Sequence, residues 1–206
     1  MSAKRIVPSV LAVALCGGVV AFILAGNAPR RPLTGPAAHP WASWPVGTWA
    51  EMSVVVAGRS WTERWEVVAV DEAGVRLRVT EAGRKPDEQV IATAPEAYVD
   101  EGVEALTLAG RTFTCRRQSL GGSRRWLCGE LPAWPVREEN EEGKTELVRI
   151  GEAAGGRSCM VFETRFADGG RATRWKSLEV PGQVVREVRT ADIGEARVEV
   201  AAYGRP

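Results

Sequence analysis

The sequence predicts a mainly β domain, an antiparallel meander of repeated hairpins curled into a curved sheet or half-barrel, behind one N-terminal transmembrane helix. Three observations predict it. An uncharged run of 21 residues, Ile6 to Gly26, follows Lys4 and Arg5. A stretch of 26 residues recurs 49 residues later with ten identities. After residue 47, apolar and polar residues alternate between Gly- and Pro-marked turns, the period of half-buried strands.

The anchor comes first. A helix needs about 20 apolar residues to cross the hydrocarbon core. Pro8 sits near the start of the run, where a helix tolerates it. A cleaved signal peptide is the competing expectation, but its apolar region is usually about 7–15 residues. A cut after Ala28 would also leave Pro29 next, a poor context. Cys16 lies mid-run behind Leu15, where a lipidation motif wants a small residue. Lys4 and Arg5 favour an N-in orientation, although Arg30 and Arg31 flank the other side. The expected location is the bacterial inner membrane, single-pass, with residues 27–206 outside the cytoplasm. A secreted or periplasmic chain is the alternative if the segment is cleaved.

Residues 27–47 hold five prolines (29, 32, 36, 40 and 45) and read as a stiff, extended tether. The domain division is therefore 1–26 anchor, 27–47 tether and 48–206 repeat-built β domain. Trp41, Trp44 and Trp49 follow the prolines. Trp49 is expected to begin the core, while the other two suit either the core or the membrane interface.

The repeat organises the rest. Phe113–Glu138 overlies Phe162–Glu187 without a gap, matching Trp126 to Trp175, Pro132 to Pro181 and Val136-Arg137-Glu138 to Val185-Arg186-Glu187. Each copy reads as strand, Gly-rich turn, strand, Pro-marked bend, strand. Gly121-Gly122 and Gly169-Gly170 suit tight hairpin turns. Pro132 and Pro181 end the Trp strand, because Pro cannot donate to a ladder. A looser third copy spans Met52–Val79, with Trp65 in the Trp position and a hairpin around Asp71–Gly74. Ala196–Ala201 alternates and reads as a last strand. A short helical turn is expected near Pro95–Glu101.

Placing the turn at Gly121-Gly122 sets Cys115 opposite Cys128 in a non-hydrogen-bonded pair, where side chains lie close. A cross-strand disulfide fits that geometry, and two reduced thiols are the alternative. Cys159 is left over. The same register sets Arg117 against Trp126, a cation–π contact, and Phe166 against Trp175 in the second copy. A turn one residue earlier in that copy would shift partners by two and keep the faces.

Gly47-Thr48-Trp49, Gly110-Arg111-x-Phe113-x-Cys115 and Trp175-x-x-x-x-Val180-Pro181-Gly182-x-Val184-Val185 resemble uncharacterised exported bacterial β-repeat domains. Arg157-Ser158-Cys159 ahead of Trp175 fits the same layout, which covers roughly residues 45–190. The layout also resembles LolA/LolB-like half-barrels, which implies a concave sheet able to hold acyl chains. No catalytic residue comes with the resemblance.

Composition narrows the chemistry. Lys plus Arg is 27 against 26 for Asp plus Glu, so a basic footprint for nucleic acid is missing. The single His, His39, lies in the Pro-rich stretch, which leaves little for a His-based triad or a multi-His metal site. Glu138-Glu139 and Glu141-Glu142 sit in a charged loop without calcium-loop spacing. Arg116, Arg117, Arg124 and Arg125 either bind an anion such as a lipid headgroup or form a solvated, edge-protecting hairpin. Cys128-Gly129-Glu130 has no nearby His, and Gly155-Gly156 and Gly169-Gly170 serve turns. No catalytic, cofactor or metal site is expected. The expected role is a non-catalytic binding or structural module of the envelope. Its partners are the membrane through residues 6–26 and a lipid or envelope protein. A lipid or lipoprotein carrier or sensor with an apolar cavity is the alternative.

Overall fold

The structure, a computed structural model, describes residues 40–71, 74–92, 98–131, 134–191 and 194–206. The expected anchor at 6–26, Cys16, Ala28, His39 and residues 27–39 of the expected tether lie outside them. Among the described residues no helix is long and apolar enough to cross a membrane.

Thirteen strands follow one another: β1 (Trp49–Val56), β2 (Arg59–Asp71), β3 (Gly74–Glu81), β4 (Asp87–Ala92), β5 (Val99–Leu108), β6 (Arg111–Leu120), β7 (Ser123–Cys128), β8 (Pro135–Asn140), β9 (Gly143–Ala154), β10 (Arg157–Phe166), β11 (Arg171–Lys176), β12 (Val184–Ala191) and β13 (Gly194–Gly204). Val99–Glu101 belong to β5, so the helical turn expected near Pro95–Glu101 is replaced there by strand; residues 95–97 lie outside the described residues. The expected β2–β3 hairpin forms with Val70 opposite Val75 and Asp71 opposite Gly74.

All thirteen strands make one antiparallel sheet, and its order corrects the simple meander. Consecutive strands pair everywhere except between β4 and β5, which are the two edges, while β1 pairs with β13. Among the described residues the meander is joined through β1 and β13 and open between β4 and β5. Curling follows from chain length. Laid flat, thirteen strands would span about 58 Å at ~4.8 Å per gap. The six steps from Ala92 to Tyr98 reach at most about 22 Å. The edges must therefore come round toward each other, and β5 indeed touches β9, four strands away in the order. Charge supplies a reason for the open seam. β4 carries Asp87 and Glu88, β5 carries Asp100, Glu101 and Glu104, and neither strand has a Lys or Arg. Like charges facing each other across strands are destabilising. A bulge at Asp100/Gly102, with Gly102 at φ 103°, twists the β5 edge as well.

Two apolar clusters fill the curl. One joins Trp41, Trp65, Val54, Leu77, Val185 and Val198; the other joins Phe113, Trp126, Trp134, Val136, Leu147 and Phe162. The last residues of the expected tether belong to the first cluster. Pro40–Ser43 form a 3-10 turn, and Trp41 and Trp44 are buried at 0% and 8% exposure. Backbone bonds from Gly47 to Val67 and from Val67 to Thr48 dock this segment on β2. Trp41 fits because Gly182 leaves room: a Cβ there would stand 2.7 Å from the Trp41 ring nitrogen, and the φ of +74° also favours glycine. Trp49, expected in the core, is half-buried beneath the Arg64 guanidinium, 4.1 Å from its ring centroid.

The repeat has matching structure. The three strands of each copy, β6–β7–β8 and β10–β11–β12, carry the matched sequence, and both copies have a register shift immediately after the Trp, at Trp126/Leu127 and Trp175/Lys176. Trp126 faces Arg137, and Trp175 faces Arg186, the equivalent residues. The second hairpin departs from the expected register. Thr164 faces Ala172, five residues short of the expected Ser177, and Trp175 faces Val161 instead of Phe166. The cause is a three-residue loop, Ala167-Asp168-Gly169, closed by Gly170 N–H donating to the Asp168 carboxylate at 2.9 Å with Gly169 at φ 88°. An odd shift exchanges faces, so Phe162 shares a face with Arg174, its partner, and not with Trp175.

Candidate binding site

Three buried polar residues, Gln118, Arg125 and Thr164, share one set of cross-strand positions. Gln118, Arg125, Glu138, Thr145 and Thr164 are successive partners across β6 to β10. Arg125 donates from Nε to Gln118 Oε1 at 2.9 Å, and its guanidinium lies 3.5 Å from the Tyr98 ring centroid. Tyr98 thus folds over this face from just before β5. The hydroxyls of Thr145 and Thr164 are 2.9 Å apart. Gln118, Arg125 and Thr164 are all buried. Burying such groups is costly unless they find partners; Gln118 Oε1 accepts from Arg125, whereas Gln118 Nε2 is buried without a hydrogen-bond partner among the described residues.

On the next strand, β11, Arg174 donates from Nε to Glu187 Oε2 of β12 at 2.5 Å, and both side chains are buried. Lys176, also on β11, is half-buried, with Nζ 5.0 Å from the Phe162 ring centroid. Burial pushes its ammonium down to about 8, with Arg174 adding to the effect and Glu138 and Glu187 opposing it. A patterned interior made of Arg125, Glu138, Arg174, Lys176 and Glu187 is therefore the most chemically distinctive part of the molecule. Sequence reasoning did not single out Lys176 or the Arg174–Glu187 pair. The signal was present in the repeat, where Arg125 and Glu138 match Arg174 and Glu187.

The residues expected from sequence fall elsewhere. Arg116 pairs with Asp100, Arg117 with Glu101 and Glu104, and Arg124 with Glu101, while Arg125 turns inward. The four arginines therefore do not converge on one anion site. Hydrogen bonding from Ser119, together with Arg117 and Arg124, holds the Glu101 carboxyl below its ordinary value. The cation over Trp126 is Arg137, 5.4 Å from the ring centroid, and not Arg117. In the second copy Arg186 sits 5.0 Å over Trp175. Both Trp ring nitrogens donate to carboxylates, Trp126 to Glu104 and Trp175 to Glu152. The bond from Trp175, with Arg149 beside it, lowers the Glu152 carboxyl. Glu139 pairs with Lys144, and Glu141 and Glu142 are exposed at the β8–β9 turn. Among the described residues no group of three or more His, Cys, Asp or Glu is placed to hold a metal.

Cys115 and Cys128 stand directly opposite each other across β6 and β7, the register expected. Both are buried thiols in the structure, as is Cys159, so the expected disulfide is not formed there. Burial, and then the neighbouring Cys128, push the Cys115 thiol up to about 11. A thiol held protonated in this way is a poor nucleophile. Burial likewise raises Cys159.

The architecture is that of a curled, unclosed antiparallel sheet with a packed interior. No family model and no curated protein matches the sequence. Among solved structures, the chain is similar to MucB, with 16% identity over 82% of this chain and 56% of that one, at a TM-score of 0.44. It is similar to a putative outer membrane lipoprotein-sorting protein domain from Vibrio parahaemolyticus, with 9% identity over 78% and 84% of the two chains and a TM-score of 0.36. A structure of the Pseudomonas aeruginosa MucA/MucB complex gives 13% identity and a TM-score of 0.20. The chain spans 56% of the first of these MucB chains. The likeness is weak and lies at the level of the fold.

Proposed function

We propose that this chain is a non-catalytic binding module of the bacterial cell envelope. In this reading residues 6–26 anchor it in the inner membrane, residues 27–39 tether it, and the β domain works outside the cytoplasm. The observation that carries the reading is the seam between β4 and β5. Two sheet edges with unpaired backbone groups lie within reach of one short connection, and Val90, Val99 and Val103 on them are 61%, 64% and 66% exposed. An extended segment of an envelope protein can pair with such an edge, its backbone giving affinity and its side chains giving specificity. The fold supports this use because β6 and β7 behind the seam hold the β5 edge in place through the Arg–acid pairs of Arg116, Arg117 and Arg124. Export would also permit the Cys115–Cys128 bond.

Site-specific photo-crosslinking of the full chain in its native membrane tests the proposal. A crosslinking residue at Val103 or Val90 should capture a defined envelope protein, and one at Val70, exposed on β2 at its turn with β3, should not. Equal capture at all three positions, or none at the two edges, would sink the reading.

A further inference from the structure

Strand direction gives the seam between β4 and β5 a property that charge alone does not. Every neighbouring pair in the sheet is antiparallel, from β4–β3 at one edge to β6–β5 at the other. Direction therefore alternates along the order, and with thirteen strands the two edges run the same way. Brought together, β4 and β5 would make a parallel pair. Parallel neighbours that follow one another in sequence need a crossover of about a dozen residues or more, and six residues separate Ala92 from Val99. Direction thus opposes pairing of the two edges with each other, as their charge does. One further strand running opposite to both edges meets each of them as an antiparallel neighbour. It is the fourteenth, and with it every strand has two antiparallel partners.

The edges agree in length and in charge. β4 is six residues, Asp87–Ala92, and β5 beyond its bulge offers six more, 103–108. Together they carry Asp87, Glu88, Asp100, Glu101 and Glu104 and no Lys or Arg. Cations reach four of these carboxylates from the strands behind. Arg78 of β3 meets Glu88 at 3.1 Å, Arg116 of β6 meets Asp100, and Arg117 of β6 meets Glu101 and Glu104. Such exposed or half-exposed pairs are individually weak, which leaves the carboxylates open to a second cation from the seam side.

We propose that the seam takes one extended segment of another envelope protein, about six residues long like each edge, running antiparallel to both β4 and β5 and richer in Lys and Arg than in Asp and Glu. This rests on the reading of the seam as the binding edge, and adds to it the number of strands, their direction and their charge. A strand seated there stands ~4.8 Å from each edge, so the edges come to ~9.6 Å apart. The connection permits that spacing, since Ala92 and Tyr98 can lie up to about 22 Å apart. Cationic side chains on the segment reach the edge carboxylates from the side that Arg78, Arg116 and Arg117 do not occupy, and opposite charges across strands are favourable. Val90 and Val103, both exposed, offer apolar contact to its alternate side chains. A two-stranded hairpin would leave one parallel junction, and an acidic segment would repeat the repulsion between β4 and β5.

Mapped photo-crosslinking of the full chain in its native membrane tests number and direction together. A photoreactive residue is placed in turn at Asp87 and Val90 on β4 and at Val103 and Thr107 on β5, all exposed, and peptide mass spectrometry locates its attachment in the captured protein. All four attachments should fall within one stretch of about ten residues, because both edges flank the same strand. Their order should be reversed on both edges. The Val90 attachment should lie nearer the segment's N-terminus than the Asp87 one, and the Thr107 attachment nearer than the Val103 one. The stretch should hold more Lys and Arg than Asp and Glu. Asp87→Lys combined with Glu88→Lys should cut capture at Val103 by about fivefold or more, since like charges then face each other. Raising salt from about 0.05 to about 0.5 M should weaken wild-type capture in the same direction, which needs no variant to fold. Attachments in unreversed order on either edge, capture from one edge only, or two stretches more than about ten residues apart overturn the single inserted strand and leave the seam as a binding edge. A stretch without an excess of Lys and Arg, or capture indifferent to both charge reversal and salt, overturns the proposal as well. No capture from either edge sinks it together with the seam reading.

Discussion

Charge at three interior residues, Arg174, Glu187 and Lys176, sets the first expectations. The Arg174–Glu187 pair is buried on both sides, so its partners have no water to fall back on. Breaking a buried pair by removing one charge costs about 3–5 kcal/mol, whereas replacing both with apolar groups is often neutral. Glu187→Gln should therefore lower unfolding free energy by about 3 kcal/mol, and Arg174→Met with Glu187→Leu should recover most of that loss. Denaturant unfolding of the three chains checks both statements, and a double variant as weak as the single one would refute them. Lys176 gives a pH dependence whose sign is fixed. Its folded value of about 8 lies below the ordinary lysine value. Between the two, the unfolded chain binds the proton and the folded chain does not, so stability rises with pH there. Below about 8 both states hold the proton and the penalty is fully present. Lys176→Met should thus be stabilised over the wild type at pH 7, with the gap shrinking by pH 10. A gap independent of pH would mean that the amine is not desolvated.

At the scale of strands and turns, legibility depended on whether the deciding contact was local. The β6–β7 hairpin was readable because a two-residue Gly-Gly turn fixes every pair outward from it, Leu120–Ser123 to Cys115–Cys128. The β10–β11 hairpin was not, because the matched Gly170 suggested the same turn while Asp168 and Gly169 build a longer one. The repeat matches residues position by position, but turn chemistry sets the register. Trp41 and Trp44 were equally hard to place, since Trp41 packs against Gly182, more than 130 residues away in sequence, and Trp44 lies beneath Arg205, 4.6 Å from its ring centroid. The interior charges escaped notice for a related reason: alternation marks which face a residue takes, but not that an opposing strand carries its counter-ion. The readable hairpin yields a further expectation. In protein from an oxidising compartment, Cys115 and Cys128 should form a disulfide that resists alkylation, while Cys159 is modified after denaturation. Closing a loop of this size contributes about 2–3 kcal/mol, so reductant should lower stability by a similar amount. Full alkylation of Cys115 and Cys128 without reductant would refute the bond.

At the scale of the whole molecule, the sheet order was the least accessible feature, because β1 pairing with β13 joins the two ends of the described strands. Local patterns predict which strands exist and which neighbours share a hairpin; they do not predict where a meander of thirteen strands will open. The acidic content of β4 and β5 gives the opening a physical cause, and the short connection limits how far it can spread. Together these leave β4 and β5 unpaired while the six steps from Ala92 to Tyr98 hold those two residues within about 22 Å. Spin labels placed by unnatural amino acids at Val90 and Val103, both exposed, read this directly. The two positions are thirteen residues apart, so an extended chain between them would allow about 45 Å. The curled sheet requires a distribution centred below about 30 Å, since the edges approach each other across a few strand widths. Replacing Asp87 and Glu88 with Lys should shorten it further, because opposite charges on the two edges attract where like charges repelled. A distribution centred above about 40 Å, or one indifferent to the charge reversal, would mean that the sheet does not curl back on itself as the strand order demands.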